Sequence, residues 1–141
     1  MSIPLAYRFM LAGIVFVLIG MCLGIYMGSK EDFTLAPLHA HLNLVGWATM
    51  ALMGTFYALS GKGGRLGWIN FWLSTAAVVV MVPFLALYLG GDKPAHNGVI
   101  VGTVLAILGM ATFLFNVLTT WRGAEAAEAD AANRAALDKA A

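Results

Sequence analysis

The sequence predicts an all-α integral membrane four-helix bundle, and three observations carry that expectation. Hydrophobic residues make up 61% of the 141 residues and charged residues only 11%, and mean hydropathy is +0.85. A soluble domain of this size has too much surface for its volume to hide so many apolar side chains. Four apolar stretches, at about 6–28, 37–60, 67–90 and 96–121, each match the roughly 20 residues that cross a bilayer. None of the four contains Asp or Glu, and the breaks between them are short and polar.

The first stretch resembles a signal peptide only superficially. Its n-region carries Arg8 alone, and no A-x-A-like site precedes "GSKED", so it is expected to be a retained helix. The second starts at Pro37, and proline suits a first helical turn, where its missing N–H would be unpaired anyway. The third contains Pro83, which predicts a kink. The fourth carries Gly98, Gly102 and Gly109 on one side, the first two as a GxxxG pair. Residues 1–122 thus form the membrane domain. The alanine-rich tail 123–141 is too polar to re-enter lipid and is expected to form a polar helix or to fray.

With four crossings, both termini and the 61–66 loop share one side. That side holds Arg8, Lys62, Arg65, Arg122, Arg134 and Lys139, whereas the other holds only Lys30 and Lys93. The positive-inside rule places the termini in the cytoplasm of a multi-pass protein of the inner (cytoplasmic) membrane. Trp68, Trp72, Trp121, Tyr7, Tyr26 and Tyr88 fall near helix ends, as interface anchors do. A net charge of +1 suggests no nucleic-acid partner. The single cysteine, Cys22, excludes an intrachain disulfide and a CxxC metal or c-type haem site.

All three histidines fall at the outer boundary. His39 and His41 open the second helix within "PLHAHLNLVGW", and His96 opens the fourth within "PAH". Ionisable residues at membrane depth point to function. At about 100° per residue, side chains two apart diverge by about 200° on a helix. An H-x-H pair on an intact helix therefore suits two separate haem contacts better than one chelated ion, because haem iron needs one axial imidazole from a given helix. Asn43, Gly46 and Met50, followed by Met53, Gly54 and Tyr57, line up below His39 as a cofactor-binding or helix-packing face. Asn43 wants a buried partner. Val45, Ala48 and Leu52 form the face below His41 and suit lipid or a porphyrin.

"HAHLNLVGW…MGTFYAL" resembles the haem-ligand helices of the haem–copper oxidase superfamily, which includes the nitric oxide reductases. In the catalytic subunit of that family, twelve helices form three pseudo-repeats of four, and the H-x-H helix is second in its repeat. The resemblance implies that His39 and His41 contact haem b iron, and it assigns no role to His96. The glycine-lined sides of helices two and four suit close contact with other helices, so a homo-oligomer is expected, and the resemblance supplies the number: a trimer, each chain one third of an oxidase-like twelve-helix ring. The family's H-H tandem for copper is absent, as is a candidate for its histidine-linked tyrosine. What is implied is at most a haem-dependent oxidoreductase without the complete haem–copper site.

The leading reading is a b-type haem protein for electron transfer or diatomic gas binding, exchanging electrons with a periplasmic or membrane carrier. A second is a tri-histidine copper or zinc site of His39, His41 and His96, which requires residues 37–41 to be non-helical. A third is a non-catalytic assembly subunit whose histidines are merely interfacial.

Overall fold

The structure, a computed structural model, describes residues 4–140, with side chains to residue 136. The side chain of Lys139 and all of Ala141 lie outside the described residues. Four helices are long and apolar enough to cross a membrane, which makes this a multi-pass membrane protein by length and composition.

Helix α1 (Leu5–Lys30) starts after Pro4 and stops at Glu31, whose φ of 53° is left-handed. Two bonds close that end: Glu31 N–H donates to Gly28 O, and Asp32 N–H to Met27 O. Phe9, Gly13, Phe16, Gly20 and Met27 form its buried face at steps of three, four and seven residues. In the following turn Thr34 donates its backbone N–H and its hydroxyl to Asp32 Oδ1, which holds that carboxyl below its ordinary value.

Helix α2 (Ala36–Ser60) is continuous but not uniform. An α-helical turn, Ala36–His41, gives way to a π-helical segment, Leu42–Ala48, before α-geometry resumes over Thr49–Ser60. At the start of the wide segment, the Asn43 side chain donates to the His39 carbonyl, which in an α-helix serves the Asn43 backbone N–H. At its end, the Leu44 carbonyl accepts both the Thr49 N–H and the Thr49 hydroxyl. Side chains thus satisfy carbonyls at both edges of the widened turn. Gly61 then ends the helix at φ 63°, a conformation that suits glycine.

Helix α3 (Gly64–Leu89) runs unbroken through Pro83. A 3₁₀ turn, Lys93–Ala95, leads into α4 (His96–Ala140). At 1.5 Å per residue, the 45 residues of α4 extend about 68 Å, far beyond a hydrocarbon core of roughly 30 Å. The tail is therefore the same rod continued, with an exposed Arg134–Asp130 pair one turn apart.

Two close-packed hairpins make up the bundle, and glycine brings each together. In α1–α2, a Cβ on Gly46 would stand 2.8 Å from Phe16 Cβ, and one on Gly54 would stand 3.1 Å from the Ala6 carbonyl. In α3–α4, a Cβ on Gly102 would lie 2.8 Å from the Met81 backbone. The glycine faces of α2 and α4, expected to be available to other helices, are thus used inside the chain.

The hairpins meet through side chains at the end carrying the 61–66 loop. Phe9 of α1 stacks on Tyr57 at 5.3 Å and meets Phe71 edge-on at 5.2 Å, while Phe56 meets Phe113 of α4 at 5.2 Å. Arg8 sits over the Trp68 ring at 4.8 Å. Outward faces of α1 and α4 remain exposed and apolar, from Leu11 to Ile25 and from Ile100 to Leu118, as lipid-facing surfaces are.

Candidate functional site

His39 turns inward, onto α1. Its Nδ1 lies 2.8 Å from the carbonyl of Gly20, and a carbonyl only accepts, so Nδ1 carries the proton. Nε2 is then the acceptor and takes a bond from Asn43 Nδ2 at 3.0 Å; the same amide donates to the His39 carbonyl at 2.8 Å. Both ring nitrogens are thereby engaged within the chain. The slot exists because α1 offers glycine there: a Cβ on Gly24 would stand 3.0 Å from the His39 ring, and one on Gly20 would stand 2.9 Å from Asn43 Oδ1. Gly20 and Gly24 form a GxxxG pair, the sequence signal for this slot.

His41 is held differently. Its Nδ1 donates to the carbonyl of Pro37, one turn back, at 2.7 Å. Among the described residues Nε2 has no partner. An imidazole whose Nδ1–H is anchored on a backbone carbonyl has a fixed tautomer and a fixed ring orientation. Its lone pair sits on Nε2, the arrangement usual for a metal-ligating histidine.

Asn43 finds the buried partner its position demanded. Gly46 and Met50 lie in the α1–α2 packing: the space beside Gly46 is filled by Phe16, and Met50 is fully buried. Neither leaves room for a macrocycle on that face. His96 is exposed, and its ring tilts against Tyr88 of α3 at 5.2 Å. Among the described residues no three His, Cys, Asp or Glu side chains come together as a metal-binding group. Residues 36–41 are helical, whereas the tri-histidine alternative needed them irregular.

The face below His41 leads through Val45 to a cavity of about 250 Å³ between the π segment, α3 and α4. Thr49, Met53, Ser74, Thr103 and Met110 also line it. It is smaller than the roughly 300–1,000 Å³ of typical ligand pockets but ample for a diatomic molecule.

Sequence reasoning missed a buried polar network. Tyr57 Oη donates to Asn70 Oδ1 at 3.1 Å and accepts from Asn116 Nδ2 at 3.0 Å. Asn70 Nδ2 donates to the Gly109 carbonyl at 2.7 Å and to Ser74 Oγ, and Ser74 Oγ in turn faces Met53 Sδ. Asn70 is fully buried, with Asn116 and Ser74 nearly so. Three lone polar residues inside apolar spans are the signal that could have found it.

Compared with known proteins, the chain matches no family model, no curated protein and no solved structure.

Proposed function

We propose that the protein is an integral membrane haem b protein in which Nε2 of His41 ligates the iron. The observation that carries this reading is the Pro37 carbonyl on His41 Nδ1, which leaves the other ring nitrogen oriented and unpartnered. Bound there, haem supplies an iron that exchanges one electron or takes a diatomic ligand. His39 acts in this reading as a positioning residue. Its bonds to Gly20 and Asn43 fix the start of α2 on α1, and so set where His41 stands. As an iron ligand itself, His39 would first have to lose Asn43 from Nε2.

A homo-oligomer, specifically a trimer, completes the proposal. The cavity that begins a turn below His41, at Val45, measures about 250 Å³, too small to bury a macrocycle, so in this reading a neighbouring copy covers the haem. The likeness of the H-x-H helix to the oxidases supplies the number three, as three copies of four helices. Electron transfer with a periplasmic or membrane carrier, or gas binding, is the activity inferred; no oxygen-reducing step is assigned.

A pyridine-haemochrome assay on detergent-purified protein tests the reading. Wild type should carry haem b. His41→Ala should lose it and regain its spectrum with added imidazole, while His39→Ala should keep haem at reduced thermal stability. Wild type without haem, or haem lost only in His96→Ala, would overturn it. Native mass spectrometry with haem retained tests the trimer, which a haem-loaded monomer would exclude.

A further inference from the structure

We infer that the cavity between the 61–66 loop and α4 is a binding site for an anionic phosphate ester, the headgroup of a membrane phospholipid. It lies away from the histidines and does not depend on the haem reading.

The cavity measures about 780 Å³ and is walled by the loop on one side and by the last membrane turns of α4 on the other. Lys62 and Arg65 supply its charge and Thr120 a hydroxyl, the Thr119 hydroxyl being donated to the Asn116 backbone carbonyl, and no Asp or Glu lines it. Among the described residues neither cation has an ion-pair partner. Lys62 leans across the opening, its Nζ 3.9 Å from where a Cβ on Gly123 would stand.

The loop that presents these groups is built, not loose. Gly61 and Gly64 take left-handed φ values of 63° and 48°. Gly63 and Gly67 pack so closely on Leu5 that a Cβ on either would stand 2.6 or 2.5 Å from its Cδ2. Gly67 N–H closes the first turn of α3 onto Gly63 O, and no side chain caps the turn. Uncapped N–H groups at a helix start attract anions, and here Lys62 and Arg65 stand beside them.

A second, independent observation lies at the floor. Asn116 is 5% exposed and lines the cavity. Its Nδ2 is spent on Tyr57, but its Oδ1 accepts no bond among the described residues. An acceptor beneath a cationic rim fits a ligand that is anionic at its phosphate and carries a hydroxyl donor, as a glycerol headgroup does. The site also lies at the level of exposed Trp68 and Trp121, where headgroups sit.

The test is native mass spectrometry of the full-length protein in detergent with an equimolar mixture of phosphatidylglycerol and phosphatidylcholine. Phosphatidylglycerol should be retained in preference. The double change Lys62→Gln, Arg65→Gln should reduce that preference on the order of twentyfold, at about fivefold per cation. Thr120→Val should lower it too, while Lys30→Gln with Lys93→Gln, at the other end, should not. Unchanged preference in the loop variant, or an equal loss in the control, overturns the site. Displacement of the lipid by an equal concentration of soluble glycerol phosphate overturns the lipid as its source.

Discussion

The side-chain amide of Asn43 bonds His39 twice, at the ring Nε2 and at the backbone carbonyl, while the other ring nitrogen of His39 bonds Gly20 of the neighbouring helix. One residue thus ties the widened turn of α2 to the histidine that docks it on α1. Asn43→Ala should leave Nε2 unsatisfied in a partly buried slot and cost about 1–2 kcal/mol. Unfolding in detergent at graded denaturant measures this, and an unchanged midpoint would mean the bonds contribute nothing net.

Glycine replacements should separate packing from propensity. Gly102→Ala would place a methyl 2.8 Å from the Met81 backbone, which can yield only if α3 and α4 separate, so a loss of about 1–3 kcal/mol is expected. Gly28→Ala meets nothing within 4 Å and should be neutral or gain up to about 1 kcal/mol from helix propensity. Thermal melts of the two variants give opposite signs if close approach is what the first glycine provides.

Tyr57→Phe should remove both bonds that join Tyr57 of α2 to Asn70 and Asn116 of the other hairpin. Two buried amides then lose a partner, at about 1–3 kcal/mol in stability. Combining it with Asn116→Leu should cost less than the sum of the two single changes, because the orphaned amide is gone. Additive losses would show that the network is not one unit.

Reporter fusions at the 61–66 loop and after residue 136 should both read as cytoplasmic, given six Lys and Arg on that side and two on the other. A periplasmic signal from either would overturn this assignment, and from both would reverse the chain and put the histidines at the inner face.

By itself the sequence determined the number of helices and nearly all their limits. Length and apolarity are local properties, and lipid tests them one segment at a time. Pro37 marked the start of α2, and the three histidines were legible at one boundary for the same reason. The aim of each histidine was not. His39 and His41 differ by two positions, and an H-x-H pattern says only that they diverge.

Only the tertiary structure decided which of them is enclosed, because that depends on Gly20 and Gly24 of another helix leaving a slot. It also decided the hairpin pairing, the π segment and the Tyr57–Asn70–Asn116 contact. In a membrane, lipid-facing and protein-facing surfaces are both apolar, so hydropathy does not mark the packed face. That face is set by small residues and hydrogen bonds between segments distant in sequence, such as Asn116 with Tyr57, 59 positions apart.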